Sequence, residues 1–171
     1  MSMRRQKNRV LALVFSRFPG LARKWLSGRP VEEWGPPPWS PLLRPVSKCR
    51  IALVTTAGVH LNGQEPFDME DPEGDTSYRV IPADVSPADL MITHDYYDHG
   101  DADKDINIVF PLTRLKELAL EGAIGGTGPN HYSFMGHIDG KKPAGLLRGT
   151  APQVAQRLRG EGVHAVLLTP G

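Results

Sequence analysis

Cysteine is almost absent from this sequence of 171 residues, in which Cys49 is the single one. One cysteine cannot form an internal disulfide and cannot supply a cysteine cluster for zinc. Such sparing use of cysteine is typical of a reducing compartment, so we expect the cytoplasm. Because Cys49 precedes the first predicted strand, we expect it to be a small residue of the core.

Long apolar runs and an excess of one charge are also missing. No run approaches the roughly 18 apolar residues that a membrane-spanning helix requires. The 20 basic and 19 acidic residues leave a net charge of +1, which gives no support for binding nucleic acid. The charge is nevertheless uneven, because basic residues concentrate in the first thirty positions and acidic residues between positions 65 and 105.

The order of apolar patterns predicts an α/β fold. Residues 50–58 form a continuous apolar run that ends on threonines and glycine, as in a strand buried on both faces. Further strands are predicted at residues 78–81, 90–93 and 163–168, and helices at residues 111–122 and 152–160. Strands that alternate with helices indicate a three-layer domain with a mainly parallel sheet. The sequence stops soon after the last strand, so we expect this domain to be incomplete at its C-terminus.

The N-terminal part differs from the rest in composition. Residues 1–47 are predicted to form a basic, proline-rich extension and connector, and residues 48–171 the α/β domain. Four prolines in residues 35–41 exclude a helix or a central strand there. We interpret this stretch as a stiff connector, with Trp34 and Trp39 packed on the core.

The segment after the third predicted strand carries a dense cluster of ionisable side chains. Two histidines and five aspartates fall within residues 94–105. Neighbouring carboxylates raise one another's pKa, so a cation, an arginine, a lysine or helix amides would relieve the cluster. Three interpretations stay open: acid–base or substrate-binding work by His94 or His99, a zinc or iron site, and a structural loop whose aspartates cap helices.

One family pattern supports the metal interpretation. Metallo-β-lactamase-like hydrolases carry a His-x-His-x-Asp-His loop after a strand, and His94, Asp98 and His99 match three of its four positions. Tyr96 stands where that motif has its second histidine, and a phenol does not replace an imidazole in a two-zinc site without changing it. This alternative predicts zinc or iron on His94, Asp98 and His99.

A longer series of motifs resembles a different family. The segments GDTSYR (74–79), ITHDYYDH (92–99), DADKDINIVFP (101–111) and HYSFMG (131–136) occur in this order. Together they resemble the selenoprotein B family of glycine, sarcosine, betaine and D-proline reductases. The resemblance extends over residues 48–171 and leaves the first 45 residues outside.

The resemblance implies an oxidoreductase that cleaves a carbon–nitrogen bond reductively, with a dithiol protein as electron donor and other reductase subunits as partners. It also implies a selenocysteine, or a cysteine in its place, in a loop after a late strand. A selenolate is deprotonated at neutral pH and strongly nucleophilic, which suits that role. This chain contains no selenocysteine, and Cys49 lies at the wrong end of the domain. We therefore expect the selenocysteine beyond Gly171, at a codon that is normally read as a stop, and no other cofactor. An inactive truncated or regulatory domain is a further alternative.

The combined predictions assign a set of site residues around a small-molecule substrate. The catalytic candidates are His94, Asp95, Asp98 and His99. The substrate-binding candidates are Asp75, Thr76, Arg79, Asp101, Asp105 and His60, and among them Asp101 and Asp105 are expected to shape the loop. Residues 122–130 are rich in glycine but lack the ending of a nucleotide-binding loop, so we expect a turn there.

Overall fold

The computed structural model describes residues 2–27, 35–36 and 40–171. The described residues form five α-helices, with a π-helical turn at Leu146–Thr150 between the fourth and the fifth. The helices are α1 (Met3–Arg17), α2 (Pro19–Leu26), α3 (Leu112–Leu120), α4 (Pro143–Gly145) and α5 (Ala151–Gly160). The predicted packing of Trp34 and Trp39 lies outside the described residues, and the division of the chain near residue 47 stays a prediction.

The strands form one main sheet and one small one. They are β1 (Arg50–Thr55), β2 (Val59–Leu61), β3 (Tyr78–Pro82), β4 (Leu90–Ile92), β5 (Gly126–Thr127), β6 (Asn130–Phe134) and β7 (Ala165–Thr169). In the main sheet, β1 lies between its parallel partners, with β7 on one side and β5 and β6 on the other. Strand β3 joins antiparallel to β6. The prediction of a mainly parallel sheet is confirmed.

Helices cover both faces of this sheet. Consecutive residues of β1 point to opposite faces, as the two-residue period of a strand requires. Leu53 belongs to the core cluster that contains Leu112 and Leu115 of α3. Ala52 belongs to the cluster that contains Val154 and Leu158 of α5. The three-layer arrangement is therefore confirmed.

Two predicted strands lie elsewhere than expected. The apolar run at residues 50–58 ends as a strand at Thr55, and Gly58 then adopts a φ of +73° that redirects the chain. As a result β2 pairs antiparallel with β4 in a separate small sheet, so the strand predicted at residues 90–93 is not part of the main sheet. The last strand is not buried either, because β7 lies at the edge of the described sheet and Leu168 is 69% exposed.

Other local expectations are confirmed. Pro111 directly precedes α3, and Gly122 follows it with a φ of +75°. Cys49 is fully buried at the amino end of β1, as expected of a core residue. None of the helices formed by the described residues has the length and apolar character that crossing a membrane requires.

Candidate active site

The carboxyl ends of three parallel strands meet at one edge of the main sheet. Beyond β1, the Thr56 amide donates a hydrogen bond to the Thr169 carbonyl of β7 (3.0 Å), and Ala57 forms a bridge with Met135 beyond β6. The Gly171 amide donates to the Thr56 hydroxyl (3.3 Å). Ligands of open α/β sheets usually bind at this edge, so it is the place to look for a site.

Gly58 fixes the histidine-containing loop to this edge. Its carbonyl accepts a hydrogen bond from the Thr93 amide, and its own amide donates to the Phe134 carbonyl, each at 2.9 Å. A Cβ atom at position 58 would lie 2.5 Å from the Thr93 carbonyl oxygen. Glycine is needed here both for its positive φ and for this close approach.

Five aromatic side chains of the edge form a row in which imidazole and phenol rings alternate. His137 stacks on Tyr96 with ring centres 3.8 Å apart. His94 follows with its ring centre 5.9 Å from Tyr96 and 4.7 Å from Tyr97, both edge to face. His99 ends the row, 5.5 Å from Tyr97. We call these five residues the ring row. Tyr97 therefore contacts the rings of both predicted histidines, His94 and His99.

His94 is the buried centre of the ring row, with 5% exposure. Its Nδ1 accepts a hydrogen bond from the Tyr96 amide (3.1 Å), so the neutral ring carries its proton on Nε2. Burial, with smaller contributions from the nearby imidazoles of His137 and His99, lowers the pKa of His94 to about 4. At neutral pH His94 is therefore an uncharged hydrogen-bond donor.

His99 has the geometry of a general acid or base. Its Nδ1 lies 2.8 Å from the Asp103 carboxylate, an arrangement in which Nδ1–H donates and Nε2 is left as the acceptor. Together with Tyr97 and Arg9, this pair lines a cleft of about 340 Å³. The Tyr97 hydroxyl donates to the Ala57 carbonyl (3.2 Å), and burial raises the pKa of Tyr97 above its ordinary value.

Asp95 faces α1 rather than the cleft. The carboxylate is 3% exposed and accepts hydrogen bonds from Nε and Nη2 of Arg5, while Nε of Arg9 lies 3.7 Å away. The hydrogen bond that Arg5 donates to Asp95 raises the pKa of Arg5, although burial opposes this. The structure thus gives Asp95 an ion-pair role that holds α1 across the ring row.

The aspartates at positions 98, 101 and 105 form local contacts within the loop. Asp98 is exposed beside the cleft and accepts a hydrogen bond from the Gly100 amide (3.1 Å). Asp101 pairs with Lys104 at 2.8 Å in solvent. Asp105 caps a short 3-10 turn at Ile106–Ile108 through the Asn107 amide (3.0 Å). Asp105 therefore shapes the loop through its cap, whereas Asp101 makes only an exposed pair with Lys104. A contact of either residue with substrate stays a prediction.

The predicted group of Asp75, Thr76 and Arg79 secures a neighbouring loop. Arg79 donates to the Glu65 carbonyl (2.7 Å) and lies 4.3 Å from the centre of the Phe67 ring. The Asp75 carboxylate accepts hydrogen bonds from the amides of Asp68 and Ser77, and the Thr76 carbonyl accepts one from Thr150. Phe67 belongs to a hydrophobic cluster against which Tyr96 packs. Through Phe67, the loop that holds Asp75, Thr76 and Arg79 therefore packs against the ring row.

The structure does not bring His60 to the cleft. His60 is 1% exposed, with Nδ1 2.8 Å from the Leu61 carbonyl and Nε2 2.8 Å from the Thr93 hydroxyl. Both ring nitrogens are thus occupied, and burial lowers the pKa of the ring. His60 braces the start of the histidine loop.

The described part of the chain contains no cluster of metal-ligating side chains of the kind that the metal interpretation requires. Among residues 2–27, 35–36 and 40–171, no group of three or more histidine, cysteine or carboxylate side chains is arranged to hold a metal ion. His94 and His99 both use Nδ1 in hydrogen bonds, and Asp98 faces solvent. Zinc or iron binding stays a prediction for metal analysis.

Sequence reasoning missed several residues of the site. Asp103 is the partner of His99, and their spacing of four positions on a turn was the available signal. Arg5 and Arg9 were visible only as part of a basic segment, whose charge complements the acidic loop. His137 had no motif of its own, and the fold alone places it on Tyr96.

The sequence matches one known family over most of its length. The family model described as glycine/sarcosine/betaine reductase selenoprotein B matches residues 7–171. The match therefore includes most of the N-terminal segment that the sequence motifs did not cover. No solved structure is a significant match.

Curated relatives agree with this match. The chain is 43% identical over 136 residues to the D-proline reductase subunit gamma of Acetoanaerobium sticklandii, covering 80% of this chain and 54% of that protein. It is 27% identical over 173 residues to the sarcosine reductase complex component B subunit beta of Peptoclostridium acidaminophilum, covering 97% and 37% respectively. A glycine reductase complex component B subunit gamma, from Carboxydothermus hydrogenoformans, is 32% identical over 136 residues, covering 77% and 30%. The chain spans about half the length of the first relative and about a third of the others.

Proposed function

The chain belongs to the glycine/sarcosine/betaine reductase selenoprotein B family, and we propose that it acts within an oxidoreductase that cleaves a carbon–nitrogen bond of an amino acid or amine-derived substrate. In this reaction the carbon–nitrogen bond breaks, the carbon gains a hydrogen and the amine leaves. A dithiol supplies the two electrons and becomes a disulfide. Glycine, sarcosine, betaine and D-proline, which the family description and the relatives name, are the substrates to test.

The observation that carries this proposal is the position of the carboxyl end of β7. A Cβ atom at Gly171 would lie 2.6 Å from the Cα atom of Ala57, and the Ala57 carbonyl accepts the Tyr97 hydroxyl. A residue that follows Gly171 would therefore emerge beside the ring row. This is where a nucleophile could reach a substrate held in the cleft at His99.

We assign the nucleophile to a selenocysteine, or a cysteine in its place, in the loop after β7, as the family resemblance implies for a late strand. Support comes also from the place of Cys49, which is fully buried at the amino end of β1. A strand of six residues separates it from the ring row, a distance of ~20 Å. Cys49 is thus unsuited to attack a substrate at the carboxyl edge.

The side chains of the cleft would handle the protons. Nε2 of His99, whose ring is oriented by Asp103, would protonate the departing amine or remove a proton from the attacking group. His94 would donate a hydrogen bond from Nε2, since its low pKa keeps it neutral. Tyr97 would hold both imidazoles in place through its ring contacts.

The complete enzyme would work with partners. The relatives are named as subunits of reductase complexes, which supports partner subunits here, and a dithiol protein would supply the electrons. The single buried cysteine supports a cytoplasmic location.

Turnover by the complete protein with its partner subunits tests the proposal. We expect release of amine, or of 5-aminopentanoate from D-proline, that depends on dithiothreitol and disappears when alanine replaces the selenocysteine. His99→Gln should lower kcat by at least about 100-fold, whereas Lys104→Gln, a change of an exposed residue of the same loop, should leave it nearly unchanged. Activity that is independent of dithiol, or unaffected by His99→Gln, would contradict the assignment.

A further inference from the structure

A cavity of about 490 Å³ lies between the N-terminal helices and the loops beside the ring row. It is separate from the cleft at His99, because the His137 and Tyr96 end of the ring row forms its wall. Phe15 and Trp25 form the opposite wall, with ring centres 5.4 Å apart. Four rings thus surround a space large enough for a small organic molecule.

Two cationic side chains line this cavity. Arg4 and Lys7 of α1 are part of its lining, and among the described lining residues no carboxylate opposes them. Asp71, which precedes the lining residue Pro72, is paired with Lys142 at 2.6 Å. The Arg and Lys side chains of the described lining are therefore not neutralised by a carboxylate within that lining.

Arg4 has hydrogen-bonding capacity left over. Its Nη2 donates to the Met69 carbonyl (2.9 Å), which fixes the side chain. Its Nε is buried and has no hydrogen-bond partner among the described residues. A buried donor without a partner costs about 1–3 kcal/mol, so the described residues satisfy the Arg4 guanidinium only in part.

We propose that this cavity binds a small carboxylate with an apolar or cyclic body. The carboxylate would face Arg4 and Lys7, and the body would pack among Phe15, Trp25 and Tyr96. A phosphate fits less well, because it has no apolar body and would leave the aromatic walls uncovered. The proposal goes beyond the reductase function, since binding here requires neither the nucleophile nor turnover.

Trp25 provides a direct readout of occupancy in the 171-residue chain. Titration with benzoate should change the tryptophan fluorescence saturably, with a Kd of about 1 mM or lower. Benzyl alcohol has the same ring without the charge, and inorganic phosphate has the charge without the ring. Both should bind at least about tenfold more weakly. Isothermal titration calorimetry should give the same order, and Trp25→Phe should abolish the fluorescence change while calorimetry still detects binding.

Matched variants of α1 locate the carboxylate. Lys7→Met should weaken benzoate binding by about tenfold, whereas Arg17→Met removes an exposed positive charge from the same helix outside the cavity and should change it less than about twofold. Equal effects of the two variants, phosphate binding as tight as benzoate, or no saturable benzoate binding in calorimetry would each overturn the proposal. A fluorescence change that survives Trp25→Phe would place the ligand elsewhere and overturn it as well.

Discussion

Acid should destabilise this protein through its buried histidines at a pH where few carboxylates titrate. Burial lowers the pKa of both His94 and His131 to about 4. His131 is fully buried, and its Nδ1 accepts a hydrogen bond from the Leu53 amide (3.0 Å). Both imidazoles are therefore neutral in the folded protein near pH 7, whereas in the unfolded chain they ionise near the ordinary histidine pKa of about 6.5.

The size of the effect follows from this difference in pKa. Above pH 6.5 neither state binds the protons, and the full stability is present. As the pH falls from 6.5 towards 4, the unfolded chain takes up a proton on each ring and the folded protein does not, so the free energy of unfolding falls. One pKa unit corresponds to about 1.4 kcal/mol. Between pH 7.5 and pH 5 each histidine should therefore cost about 2 kcal/mol, and the two together about 4 kcal/mol.

Urea unfolding at pH 7.5 and pH 5 measures this loss. His94→Gln should reduce the pH-dependent loss by about 2 kcal/mol, and a variant that also carries His131→Gln should remove most of it. Because these variants can also lower overall stability, NMR titration of the parent protein provides an independent readout. His94 should remain neutral down to about pH 4. An imidazole that titrates near pH 6.5 in the folded protein, or an unchanged pH dependence in His94→Gln, would refute the reasoning.

Three further predictions concern the site. Asp95→Asn should lower the free energy of unfolding by about 2 kcal/mol, because it leaves the partly buried Arg5 without its carboxylate, and should increase hydrogen exchange in α1. The exposed carboxylate of Asp101 offers the control, since Asp101→Asn should change little, and equal effects would contradict the ion-pair role. Gly58→Ala should cost at least about 2 kcal/mol, because it forces a strained φ and a contact with the Thr93 carbonyl. In contrast, Gly149→Ala enters open space and should be tolerated, and similar melting temperatures for the two variants would argue against the close approach. Elemental analysis of purified protein should find far less than one zinc or iron per chain, and one equivalent that is lost in His99→Gln would favour a metal site.

The regular elements around β1 were predictable because their signals are local and strong. The apolar run from Ile51 to Thr55 is continuous and ends on threonines, as in a strand buried on both faces. The Pro111-to-Gly122 pattern of α3 combines a helical period with a proline at its start and a glycine at its end. Alternation of such strands and helices was sufficient to predict a parallel sheet with helices on both faces. The motif that contains His94 and His99 was likewise visible in the sequence.

The position of the short strands was not predictable from the same signals. Strand β4 has three residues, and its partner depends on the turn that Gly58 introduces far earlier in the chain. The exposure of Leu168 depends on where β7 lies in the sheet, whereas its apolar sequence resembles that of a buried strand. Such properties follow from tertiary contacts that periodicity does not contain.

The long-range pairing of charged and aromatic side chains also could not be predicted from the sequence. The basic segment and the acidic loop were both evident, but nothing local selects Arg5 as the partner of Asp95, 90 positions away. The stacking of His137 on Tyr96 joins two loops in the same way. Only the His99–Asp103 pair, with its spacing of four, was within reach of local reasoning.

The central claim is that the carboxyl edge of the sheet carries a reductase nucleophile beside the ring row. Peptide mass spectrometry of the protein purified from its native source tests this most directly. We predict a selenocysteine, identified by the isotope pattern of selenium, or a cysteine, in the loop after β7. A protein that carries neither residue in that loop would contradict the account.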